Sequence, residues 1–219
     1  MKRIVFVPTS HIAEQSLLAV RHAIEKEEPD CVAIELDRNR YHALLHGKQS
    51  NMDALKSLGF ITFLIFFFMK TLQSWLGKKV GIFPGSEMLG AIKEAQKKEI
   101  PVVFIDRDIR LTFIEIQRMP KKEKLRILWL LIRSPLLIFL SKFSRSSKKI
   151  DLRKVPEKEI ISEAMQVFKK EFPIFYKILV SDRNIIMAQR IKTLSERFDK
   201  IVVVIGAGHY EGIMKILGK

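Results

Sequence analysis

Four apolar runs in this sequence each end in residues that could do chemistry. Thr9, Ser10 and His11 follow the first run, and Glu35, Asp37 and Arg38 close the second. Asp106, Arg107 and Asp108 follow the third, and Gly206, Gly208 and His209 follow the fourth. Two histidines with one or two carboxylates make a nitrogen–oxygen donor set that suits zinc, manganese, iron or cobalt. A metal there would polarise a carbonyl and bring the pKa of bound water toward ~7. The same side chains also suit direct acid–base work without a metal. A helix N-terminus opposes positive charge, so a histidine placed there tends to stay neutral, the form that either role needs. Glu35 stands inside an apolar run, where an unpaired carboxylate costs several kcal/mol. Arg38, Arg107 or a metal would supply its partner. Asp37 and Arg40 read as a solvated helix start, and His22, His42 and His46 fall on expected helices away from this chemistry.

The elements that must position these residues are legible from the pattern of apolar residues. Ile4–Val7, Cys31–Leu36, Pro101–Ile105 and Lys200–Ile205 are almost wholly apolar rather than alternating, as in strands buried on both faces of a parallel sheet. Between them, Ile12–Glu27 places Leu17, Val20 and Ile24 at helical spacing, and Glu87–Lys98 follows a turn with Ser86 as its expected N-cap. This order predicts an α/β fold: a central, mainly parallel sheet with helices on both faces and helical insertions forming a cap. The expected layout is one domain over 1–219, with a core of 1–48, 80–118 and 181–219 and insertions at about 49–79 and 119–180. Ser141–Lys154, basic and serine-containing, is the expected flexible loop. The C-terminal ends of parallel strands share one edge, where ligands bind. His11, Glu35, Asp106 and His209 should therefore converge there. The stretch Gly206–Gly212 is not a dinucleotide loop, because its third glycine falls one place late and only seven residues follow it.

Composition narrows the class. Of 219 residues, 47% are hydrophobic, which excludes a disordered polymer; the 29% that are charged fit a soluble or peripheral protein better than a multi-span membrane protein. Cys31 is the single cysteine, so no internal disulfide forms, and a reducing, cytoplasmic setting is expected. Within its apolar run Cys31 reads as a small buried residue. The net charge of +15 invites anionic partners, but basic and aromatic residues do not interleave as they do in base-stacking surfaces, so nucleic acid is not expected. Leu58–Met69 is too short to span a bilayer, and Leu125–Leu140 is broken by Arg126, Arg133 and Pro135. These lysine-flanked segments suit docking on a membrane surface or a membrane-protein partner; burial in the core or in a homodimer is the alternative.

Six motifs in order, PTSHIAEQS, PDCVAIELDRNRY, PGSEMLGAIKEA, IDRDIRLT, LVSDRNIIMA and VVVIGAGHYEGI, resemble the TraB family over nearly the whole chain. That family includes the bacterial pheromone-shutdown proteins and is related to the Tiki metalloproteases. The resemblance implies a metal-dependent hydrolase-like α/β domain with two G-x-x-H motifs, tied in the Tiki branch to peptide-bond cleavage with manganese or cobalt. The second motif is intact at Gly206–His209; in the first, Pro8 replaces the glycine while Thr9, Ser10 and His11 fit. Glu35 and Arg38 match E-L-x-x-R, Gly85 and Glu87 match P-G-x-E-M, and Asp106–Asp108 match D-R-D. In the E-R-D-x-x-M-A segment Asp182 and Asn184 depart from the pattern, while Arg183, Met187 and Ala188 keep it. The resemblance thus implies His11, Glu35 and His209 as metal ligands, and Glu35, Arg38, Asp106, Arg107 and Arg183 as catalytic residues. It implies Ser10, Gly85, Glu87, Gly206 and Gly208 as contacts for a peptide substrate.

Overall fold

The computed structural model describes residues 3–9, 14–46, 59–67, 71, 85–141 and 158–218. Ser10 and His11 lie outside them, as does the expected loop beyond Ser141. In chain order the elements are β1 (Arg3–Thr9), α1 (Glu14–Glu27), β2 (Cys31–Ile34), α2 (Arg38–His46), α3 (Ser86–Lys97), β3 (Val102–Phe104), α4 (Ile109–Arg118), α5 (Lys121–Ser141) and α6 (Lys158–Glu171). A single turn at Pro173–Tyr176 and a π-helical turn at Lys177–Ser181 lead into α7 (Asp182–Arg197), β4 (Lys200–Gly206) and α8 (Ala207–Ile216). Residues 60–67 are also helical.

The four strands form one parallel sheet in the order β1-β4-β2-β3. The last strand is therefore second from an edge, between β1 and β2. The unbroken apolar runs have a direct cause in the packing. Val32, Ile34, Val202 and Val204 face a cluster with Val20 and Ile24 of α1 and Met88, Ala91 and Ile92 of α3. Cys31, Ala33, Ile201, Val203 and Ile205 face the opposite cluster, with Met187 and Ile191 of α7 and Ile213 of α8. Each fully buried Val or Ile contributes about 1.5–3 kcal/mol of transfer free energy, so both faces must be covered. A third apolar cluster, Ile65, Ile116, Met119, Ile127, Phe175 and Ile178, holds 60–67, α4, α5 and the π-turn together. No described helix is long and apolar enough to cross a membrane.

Three local expectations need correction. β2 ends at Ile34 rather than Leu36, because the Leu36 N–H turns back to the Ile34 carbonyl at 2.7 Å. Ser86 does not cap α3: it is the first helical residue, and the cap position is Gly85, whose φ of 91° favours glycine. Asp37 is not a solvated helix start; it is 5% exposed, and its Oδ1 accepts the N–H groups of Asn39 and Arg40. Pro8 is accommodated simply. Arg3 N–H pairs inward to Asp199, so the alternate position 8 points its nitrogen away from β4, to the side of β1 that no described strand pairs with, where no ladder bond is lost.

Candidate active site at the C-terminal edge of the sheet

Register brings the site residues to one level. Ile34 lies opposite Val204 and Phe104, so Glu35, the residues after β3 and the end of β4 emerge side by side. Glu35 is 1% exposed. Its Oε2 accepts the Gly206 N–H at 2.6 Å, at the start of α8. Its Oε1 pairs with Arg183 Nη2 and lies 3.3 Å from His209 Nε2. The partner that the buried glutamate requires is thus Arg183, not Arg38 or Arg107.

Arg183 links two buried acids. Its Nε and Nη2 donate to Asp106 Oδ1 and Oδ2 at 2.9 and 2.8 Å, and Nη1 donates to the Leu179 carbonyl at 3.1 Å. Burial alone would lower its pKa, but Glu35 and Asp106 reverse this and push it above the usual arginine range. Arg40 Nη1 donates to Asp106 Oδ2 at 3.1 Å, and Arg190 donates to the Asp106 carbonyl. With all three of its nitrogens bonded to protein, Arg183 orients Glu35 and Asp106. The Leu179 carbonyl that Arg183 meets lies in the π-helical turn just before α7.

His209, in the first turn of α8, is 8% exposed. Its Nδ1 lies 2.6 Å from Asn184 Oδ1. A carbonyl oxygen only accepts, so Nδ1 carries the hydrogen and Nε2 is turned to Glu35. Nε2 then either holds a second proton, as an imidazolium paired with Glu35, or presents a lone pair able to share a cation with Oε1. The second arrangement fits a metal site, in which a ligating histidine donates its other N–H to a neighbouring acceptor. Among the described residues Glu35 and His209 are the donors that fit; these residues contain no group of three potential ligands. Sequence alone puts His11 beside them.

The remaining candidates sit elsewhere. Arg107 is 5% exposed; it forks onto Glu115 at 3.1 and 2.7 Å, reaches Thr112 at 3.1 Å and the Ile178 carbonyl at 2.9 Å, and so ties α4 to the π-turn. Gly85 packs on Leu44, and a Cβ there would meet that side chain at 3.1 Å. Glu87 is buried in α3. Gly208 faces Met165 of α6. Arg38 is exposed on α2 and lines a cleft of about 690 Å³ with Asp37, Asn39, Asp106, Phe104 and Arg190, beside β3. Asp37 Oδ2 is buried with no hydrogen-bond partner among the described residues, and desolvation pushes its pKa upward. Asp108 caps α4, and Arg110 holds its carboxyl down at about 2. Arg40, Arg190 and Asn184 were missed as site residues. Asn184 had one signal, its departure from the resembled motif one place after Arg183.

The TraB/PrgY/gumN family profile matches residues 2–219. The chain belongs to that family. Its relatives agree with the assignment. An uncharacterized protein of Methanocaldococcus jannaschii is 34% identical over 226 residues, covering 99% of this chain and 53% of that protein. The human and mouse TraB domain-containing proteins are each 24% identical over 242 residues, covering 97% of this chain and 62% of theirs. This TraB-family chain thus spans little more than half the length of these curated relatives. Its buried Glu35–Arg183–Asp106 cluster and His209 come from four of the six motifs that carried the resemblance.

Proposed function

We propose that this chain is a metal-dependent hydrolase that cleaves a peptide or amide bond with activated water. The observation that carries the reading is the 3.3 Å approach of His209 Nε2 to Glu35 Oε1, with the far side of the imidazole fixed by Asn184. Glu35 and His209 would hold the ion, with His11 as the third donor; manganese or cobalt, or zinc, suits an N/O set of this kind. Such an ion supplies a Lewis acid and a water of lowered pKa. The chain's own residues do the rest. Asn184 holds the His209 tautomer, the Gly206 N–H fixes Glu35 Oε2, and Arg183 orients Glu35 and Asp106. A peptide-sequestering module without turnover is the alternative, favoured by one feature: both oxygens of Glu35 are already engaged by protein groups.

The test is a protein stripped with EDTA, reloaded with Mn2+ or Co2+, and offered a mixed peptide library read by mass spectrometry. Cleavage that appears with metal and disappears in His209→Ala is the expected result. Cleavage surviving both EDTA and His209→Ala would remove the proposal; peptide binding without cleavage under any ion would favour the alternative.

A further inference from the structure

We infer that the cleft beside β3 receives the carboxyl-terminal end of an extended peptide, which adds to the sheet as a fifth strand. β3 ends the sheet. Val32 N–H donates to the Pro101 carbonyl and Ile105 N–H to the Ile34 carbonyl, both at 2.9 Å, so Pro101, Val103 and Ile105 turn their backbone groups toward β2. Val102 and Phe104 therefore turn theirs outward, and no described strand takes them. An open edge of this kind pairs with an extended chain through main-chain hydrogen bonds.

The charges around the cleft choose the occupant and its direction. Asp106 is held by Arg183 and Arg40, and Asp108 by Arg110 and Asn39. Among the described residues no carboxylate pairs with Arg38, and Arg190 binds the Asp106 carbonyl and no carboxylate. Among the described residues, then, two guanidinium groups line the cleft without an ionic partner. A carboxylate for the arginines is what the last residue of a peptide offers. Asp37 and Arg38 follow β2 at the C-terminal edge of the sheet, so a peptide running parallel to β3 ends at them. A second copy of this chain is a poorer occupant, because antiparallel pairing would bring these arginines toward Lys97 and Lys98 at the start of the partner's β3. The inference extends the peptide-hydrolase reading, sharing Asp106 with that site, but concerns binding alone.

Hydrogen exchange tests it on the whole chain in EDTA, where no metal-dependent turnover occurs. The probes are a pool of N-acetylated octapeptides with free C-terminal carboxylates, the same pool amidated, and N-acetylvaline. The carboxylate pool should slow exchange at the Val102 and Phe104 amides. The amidated pool should need about tenfold more peptide, and Arg38→Gln should weaken the carboxylate pool about as much, the size of one lost charged hydrogen bond. Val102→Pro, which removes an outward N–H and leaves the β2 ladder intact, should abolish protection. Equal protection by both pools, no protection by either, or full protection by N-acetylvaline would overturn the inference. So would protection that rises with protein concentration alone, which would assign the edge to a second copy. Failure here would leave metal-dependent cleavage to be judged by its own assay.

Discussion

Arg183 is the residue on which the electrostatics of the site turn. It neutralises two buried carboxylates at once, Glu35 at 2% and Asp106 at 3% side-chain exposure. Removing one member of such a cluster leaves uncompensated charge, with a typical cost of about 3–5 kcal/mol. Arg183→Met should therefore lower the urea midpoint steeply, and the Glu35→Gln/Arg183→Met double variant should regain part of the loss. A double variant no better than Arg183→Met would show that the two residues act independently. From sequence, the need for a partner at Glu35 was legible, since a carboxylate amid Val, Ala, Ile and Leu cannot stand alone. Which cation answers it was not, because Arg183 is 148 positions away and nearer arginines competed. Asp37 misled for the opposite reason: an acid just before a helix usually faces water, and here it is buried.

At the scale of elements, the start of α7 and α8 together aim the histidine. Asn184 in the first turn of α7 reaches His209 in the first turn of α8. Gly212, one turn later on α8, leaves room for this: a Cβ there would fall 2.1 Å from Asn184 Nδ2. Gly212→Ala should displace the Asn184 amide, release the His209 tautomer and weaken metal affinity about 10–100-fold, the usual scale for losing an outer-sphere partner. Metal titration by calorimetry would read this, and unchanged affinity would refute the positioning role. Strand existence and the parallel arrangement were legible, because unbroken apolar runs have few other uses in water. Strand ends were not: the turn at Leu36 and the brevity of β3 depend on hydrogen bonds made across the sheet. The π-turn at Lys177–Ser181, which carries the carbonyls that bind Arg107 and Arg183, left no trace in the apolar periodicity.

Across the whole molecule, a four-stranded parallel sheet with α1 and α3 on one face and α7 and α8 on the other explains why residues so distant in sequence meet. Placing the last strand beside the first and second sets His209 against Glu35 directly. The convergence of Glu35, Asp106 and His209 was anticipated from strand ends alone; the strand order that makes it close was not, since apolar runs do not say which neighbours pair. The central claim is that this meeting point holds a divalent ion. The direct measurement is elemental analysis of untagged protein, as wild type and as the His209→Ala and Glu35→Gln variants, each reloaded with Mn2+ and desalted. One ion per chain in the wild type and a clear loss in both variants is the predicted result. Equal metal in all three proteins, or none retained by the wild type, would contradict it.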